Sequence, residues 1–236
     1  MRRAHYPQTV TKQGCGMASD NSSPEHPVEP VATKDRSRDR PATEGRILDA
    51  TQSILTVQGP AGFGVNAVAR AAGVDKQLIY RYFGGLDGLL GALGERLALW
   101  WQDQLLADAP AGPPESYADL IEMLALRLVR IMRNEPLALQ CVLWELTDGS
   151  GPVAALTAAR ARALGAWMDR ARGDLRPPKG VDAPIVHALI VSGISYVVLA
   201  SRTSHNVIGL ATTDEETWTR IEATIRVLVQ GAYRNA

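Results

Sequence analysis

The chain has 236 residues, 46% of them hydrophobic and 21% charged, and its 25 basic residues are balanced by 25 acidic ones. This is the composition of a globular protein with one large or two small domains, which excludes collagen-like and wholly disordered classes. Two cysteines, Cys15 and Cys141, are too few for a disulfide framework and fit a reducing, cytoplasmic setting.

Residues 1–41 are rich in Pro, Ser and charged side chains without periodicity, so a disordered tail is expected. No apolar run occupies its start, so no secretory leader is expected; Met17 is an alternative initiation point. From Thr43 onward the pattern is all-helical. The first helix is expected over Thr43 to Val57, with Ile47, Leu48, Thr51, Ile54 and Leu55 on its apolar side, and Gln58-Gly59-Pro60-Ala61-Gly62 closes it.

Residues Phe63 to Leu93 carry the main signal. Val65, Val68, Ala69 and Ala72 recur at helical spacing, and Gly73 stands where a helix ends in the left-handed conformation. Asp75 is an N-cap for a second helix through Phe83, because its carboxylate can accept from unpaired backbone N–H groups. Ile79 and Phe83 face inward on that helix. Lys76, Gln77, Arg81 and Tyr82 are left outside, and Gly84-Gly85 ends it. Two short helices joined by one glycine, the second basic and aromatic, have the layout of a helix-turn-helix DNA reader. Charge supports this locally. From Lys34 to Tyr82, eight basic residues (34, 36, 38, 40, 46, 70, 76, 81) outnumber five acidic ones (35, 39, 44, 49, 75). A basic module on a mildly acidic body suits DNA binding at one end.

Further on, Leu86, Leu90, Leu93, Leu97 and Trp100 form one stripe of a helix ending near Ala109. Helices follow over Tyr117 to Arg133, Pro136 to Leu146, Val153 to Arg172, Ala183 to Arg202 and Asp214 to Tyr233, separated by Pro- and Gly-rich breaks. Ile185 to Ala200 is the most apolar segment. It falls short of the ~20 residues that span a bilayer and carries His187, Ser192 and Ser195, so it reads as a buried helix and no membrane is expected. His5, His26, His187 and His205 lack metal-ligand spacing, no phosphate loop follows a strand, and no catalytic constellation appears. No cofactor, metal or enzymatic activity is expected.

The segment from about residue 42 to 100 resembles the tetracycline-repressor (TetR) family of bacterial regulators. The resemblance is carried by Val68-Ala69, Ala72-Gly73-Val74, Lys76, Ile79-Tyr80, Tyr82-Phe83 and Leu89-Leu90, with Ile47-Leu48-Asp49-Ala50 upstream. It implies a three-helix DNA-binding domain over 42–100, with the motif at about 65–84, and a helical effector-binding and dimerisation domain over 101–236. The last two helices are the candidates for a homodimer, because Ile185, Leu189, Ser192, Gly193, Tyr196 and Ala200 on one and Ile221, Thr224, Ile225, Leu228 and Ala232 on the other present apolar and small groups. The alternative is that both are core helices of a monomer, and the resemblance implies a four-helix bundle with the twofold mate. Asn66, Asp75, Lys76, Gln77, Tyr80, Arg81 and Tyr82 become the DNA-facing candidates. Trp100, Trp101, Met123, Arg127, Met132, Trp144 and His187 become candidates for a small-molecule effector pocket. Three positions depart from the family: Gly64 and Leu78 stand where threonine is usual, and Leu86 where lysine is. The function implied is a sequence-specific regulator, a repressor that binds a palindromic operator and is released by a small apolar or aromatic effector. The rival is a helical small-molecule-binding or scaffold protein that has lost DNA recognition.

Overall fold

The computed structural model describes residues 39–107 and 112–234. Its helices are α1 (Asp39–Gln58), α2 (Val65–Ala72), α3 (Lys76–Phe83), α4 (Leu86–Leu106), α5 (Tyr117–Asn134), α6 (Pro136–Thr147), α7 (Gly151–Arg172), α8 (Ala183–Thr203) and α9 (Glu215–Arg234). A 3-10 turn covers Pro60–Gly62, and a two-stranded hairpin, β1 (Asn206–Val207) and β2 (Leu210–Ala211), joins α8 to α9. The all-helical expectation holds. The hairpin was not expected, and α1 starts at Asp39, ahead of Thr43. The remainder of the expected tail lies outside the described residues.

Local chemistry sets the helix ends. Gly73 closes α2 at φ +64°, and its N–H donates to the carbonyls of Ala69 and Arg70; a Cβ would be strained there. Asp75 then caps α3, its carboxylate accepting the Gln77 N–H at 2.8 Å. Ser116 caps α5 through the Asp119 N–H at 3.1 Å and donates its own proton to the Asp119 carboxylate at 2.7 Å. Those bonds hold the Asp119 carboxyl below the usual carboxylate range. Pro136 opens α6, where its missing N–H costs nothing.

Two apolar cores result. Ile47, Ile54, Val68, Ala69, Ile79 and Leu89 form the smaller one, within α1 to α4. The larger one gathers Leu90, Leu93, Leu97, Trp101 and Leu105 of α4 with α5 to α9. Each fully buried Leu or Ile is worth about 1.5–3 kcal/mol. Helix α4 therefore belongs to both cores, and its stripe changes partner between Leu89 and Leu90. It lies close along α7. A Cβ on Gly94 would stand 3.3 Å from the Ala155 carbonyl oxygen, and Ala159 and Ala163 beside it have no exposed surface.

One reading from the sequence needs correction. The segment Ile185 to Ala200 is not buried within the chain. Only 17% of the apolar window of α8 is covered, and Ile185, Leu189 and Tyr196 are each more than half exposed. The helix is 21 residues long, long and apolar enough by composition to cross a membrane. Its apolarity belongs to a face that the chain itself does not cover.

Candidate nucleic-acid interface

Burial of Ile79 orients α3. With that side chain fully inside, Lys76, Gln77, Tyr80 and Arg81 point to solvent. Tyr80 is 56% exposed although it is a large aromatic. Asn66 is exposed near the start of α2. Tyr82 is half-buried, and two guanidinium groups approach its ring. Arg81 lies 4.9 Å from the ring centroid and Arg40 of α1 lies 5.2 Å from it. Arg81 also donates to the Tyr82 hydroxyl at 3.0 Å. Two cations and a hydroxyl thus converge, an arrangement that can meet phosphate oxygens. Arg40 also pairs with Glu44 at 2.7 Å, and that bond raises its pKa. In the sequence the basic run Lys34 to Arg40 reads as a solvated linker or as a segment that follows the DNA backbone or enters a minor groove. The meeting of Arg40 with the Tyr82 ring was not legible, because Arg40 comes from the far end of α1.

Asp75, counted among the DNA-facing candidates, spends its carboxylate on the cap of α3. The three departures also find their places. Gly64 precedes α2 in an extended conformation without a side-chain cap, and a Cβ there would meet nothing within 4 Å. Leu78 and Leu86 are half-buried, so each adds packing where a polar group would reach outward. Behind α3, Gly88 permits close approach. A Cβ at that position would fall 1.7 Å from the Phe83 carbonyl oxygen. Nothing in the sequence pattern distinguished Gly88 from other helical glycines.

The reader meets the body through an aromatic pair, and each part carries an ion pair of its own. Phe63 meets the Trp144 ring edge-on at 5.2 Å. Arg96 of α4 pairs with Asp49 of α1 at 2.5 Å. Glu145 of α6 and Arg160 of α7 form a bidentate, largely buried ion pair, with Arg160 Nε 3.1 Å from Glu145 Oε1.

The seven effector candidates do not share one cavity. Trp101 and Met132 are core residues, and Trp100 packs edge-on against Trp101 at 5.2 Å. Arg127 donates to the Leu105 carbonyl at 2.5 Å and lies 5.3 Å from the Trp167 ring centroid. Met123 and Arg127 line a concavity of about 640 Å³ with Glu115, Glu122 and Arg130. Trp144 belongs to the junction just described. His187 stacks on Tyr117 with ring centroids 6.0 Å apart, its Nε2 3.4 Å from the Tyr117 hydroxyl. Tyr233 completes that group from α9, 5.3 Å from Tyr117. Burial lowers the His187 pKa and pushes Tyr233 up to about 12. Burial also pushes the Cys141 thiol up to about 12, which leaves it a packing residue rather than a nucleophile.

A second concavity, about 480 Å³, runs between α8 and α9. Leu189, Ile190, Ile194, Ile221, Ile225 and Leu228 line it, and none of the effector candidates does.

Comparison with known proteins agrees with this geometry. The model of bacterial regulatory proteins of the tetR family matches residues 47–93, covering α2, α3 and parts of α1 and α4. An uncharacterised HTH-type transcriptional regulator of Mycobacterium tuberculosis is 41% identical over 51 residues, which are 22% of this chain and 25% of that protein. An HTH-type transcriptional repressor of Streptomyces coelicolor is 31% identical over 109 residues, 46% of this chain and 52% of that one. The matched region thus spans a quarter to about half the length of these curated relatives. The fold extends further. The crystal structure of the transcriptional regulator FadR from Bacillus subtilis, in complex with stearoyl-CoA, superposes with a TM-score of 0.57 at 14% identity, covering 78% of this chain and 96% of that one.

Proposed function

We propose that this chain, whose residues 47–93 match the model of bacterial regulatory proteins of the tetR family, is a dimeric, sequence-specific regulator that represses transcription from a palindromic operator. One observation carries the reading. Helix α3 buries Ile79 and turns Lys76, Gln77, Tyr80 and Arg81 outward as a continuous polar row on a capped helix. Such a helix enters the major groove, where base edges are distinguishable. Lys76 and Gln77 meet the groove with the first turn. Tyr80, Arg81 and Tyr82 hold phosphates, with Arg40 behind Tyr82, and Asn66 reaches the backbone from α2. Phosphate contacts set register while few side chains specify sequence. Asp75 acts by capping.

The dimer is supported by the uncovered faces of α8 and α9. Leu189, Tyr196, Val227 and Leu228 are each more than half exposed, and the groove between the helices is apolar. Exposed apolar surface on this scale marks an interaction site. Pairing with the same face of a second copy covers it. The effector, a small apolar or aromatic molecule, would act through α4, which shares one core with the reader and the other with the body. Binding in the body at Trp100, Met123, Arg127 or their neighbours would move α4 and change the separation of the two readers. A differential affinity of a few kcal/mol is enough for release.

Affinity for a duplex is tested by fluorescence anisotropy across a salt series. The log–log slope is expected near −0.9 per phosphate neutralised. Lys76→Ala is expected to make it shallower, and Tyr80→Ala to weaken binding. Equal binding by all three proteins would refute the assignment of α3 and leave the scaffold reading in its place.

A further inference from the structure

The tip of the hairpin between α8 and α9 breaks a local rule. Val207 pairs with Leu210, which leaves Ile208 and Gly209 as the turn, at φ +50° and +85°. Two positive φ values make a type I′ turn, whose first position favours Asn, Asp or Gly. A β-branched residue there is strained. Ile208 is also 93% exposed. The residue is therefore unfavourable twice over, in its backbone and in its solvation.

His205, just before β1, is also left-handed at φ +54°, and hydrogen bonds brace the hairpin around it. The Gly209 N–H donates to Asn206 Oδ1 at 2.8 Å, the Ser204 hydroxyl donates to the Asn206 carbonyl at 2.7 Å, and the Thr212 N–H donates to the His205 carbonyl at 3.0 Å. Val207, one residue before the tip, is buried. The fold thus holds Ile208 outward on a braced turn. Local strain of this kind persists where function rewards it.

We infer that Ile208 is a dimerisation residue: the hairpin tip docks on a second copy of this chain and extends the α8–α9 face beyond the helices. This rests on the dimer proposed above. The tip is continuous with that face, because Leu210 lines the α8–α9 groove together with Ile194, Trp218 and Ile221. The chemistry favours a second copy over another partner. From Ala183 to Ser201, α8 contains no Asp, Glu, Lys or Arg, so its cover must be apolar as well. The same face on another protomer meets that need, and a twofold contact uses each tip once on either side.

Ile208→Asn separates the two contributions. Asn-Gly is the favoured type I′ pair, so the variant relieves the turn while removing the apolar tip. At concentrations where both proteins are monomeric, Ile208→Asn is expected to unfold at an equal or higher urea midpoint. Sedimentation equilibrium is expected to give a dimer dissociation constant about 100-fold weaker, since two buried tips are lost per dimer. Ile208→Val keeps an apolar tip and is expected to dimerise like the wild type. Leu189→Glu, on α8, serves as the reference for a broken helix face. If Ile208→Asn stays within about twofold of the wild type while Leu189→Glu is monomeric, the inference falls and the dimer stands. If Ile208→Val weakens the dimer as much as Ile208→Asn, the apolar tip is not the contact and the inference also falls. A wild-type chain that is monomeric throughout, or that puts this tip into phosphatidylglycerol vesicles instead, overturns both.

Discussion

Replacing Asp75 by alanine isolates what the cap of α3 contributes to DNA binding. The helix has eight residues, about two turns, and helices so short are not stable alone because nucleation is costly. Asp75 satisfies one orphan donor, the Gln77 N–H at 2.8 Å, and sets a carboxylate at the positive end of the helix. Loss of such a cap costs about 1 kcal/mol, and loss of the charge adds a few tenths. If that energy must be restored when α3 enters the groove, each reader loses about fivefold in affinity, and a dimer about 25-fold. The opposing effect is electrostatic, since a carboxylate beside phosphates repels them. Asp75→Ser keeps a capping oxygen and removes the charge. Anisotropy titrations against one duplex should therefore rank the serine variant at or above the wild type and the alanine variant below both. The salt slope should not become shallower in either, because no phosphate contact is lost. Alanine binding as tightly as serine would refute the argument that the cap, rather than the charge, is the contribution of Asp75.

Gly88→Ala is expected to destabilise the protein by about 3 kcal/mol, the upper range for overpacking, because the added carbon meets the Phe83 carbonyl. Circular dichroism melts would register it; an unchanged midpoint would mean that α3 and α4 separate freely. Gly64→Thr has open space around its Cβ and restores a cap oxygen to α2. It is expected to add a few tenths of a kcal/mol of stability and to strengthen DNA binding with a steeper salt slope; weaker binding would place residue 64 away from the phosphates. Burial holds the His187 pKa below its ordinary value of 6.5. The unfolded chain therefore takes up more protons, and the contribution of this group is complete above pH 6.5 and declines as the pH falls below it. His187→Gln should lose less stability than the wild type between neutral and mildly acidic pH in urea titrations. Equal losses would show that His187 does not carry this dependence.

The reader was legible because its constraints are local. Gly73, Asp75 and the spacing of Val68, Ala69 and Ile79 each follow from rules that act within a turn or two, and the structure places all of them as expected. What escaped depends on partners distant in the chain. Arg40 reaches Tyr82 across some forty residues, Glu145 finds Arg160 on the next helix, and Gly88 is needed because of a carbonyl on another helix. The segment Ile185 to Ala200 reads in the sequence both as a buried helix and as part of a dimer face; the structure corrects the burial and leaves Ile185, Leu189 and Tyr196 exposed. Hydropathy reports that a segment needs cover, and the chain alone does not supply it. The seven effector candidates are spread over four helices, α4, α5, α6 and α8. The family resemblance and their bulk singled them out, but only packing separates a core Trp101 from a junction Trp144 or from the His187 group on α5, α8 and α9. The hairpin at Ile208 was hidden because its turn carries a residue that turn chemistry disfavours.

The most direct test of the account is selection of bound duplexes from a random library by the purified protein, with Lys76→Ala/Tyr80→Ala in parallel. The account predicts enrichment of one inverted repeat by the wild type and none by the double variant. A folded dimer that enriches no sequence at low salt, or a double variant that recovers the same repeat, would contradict it.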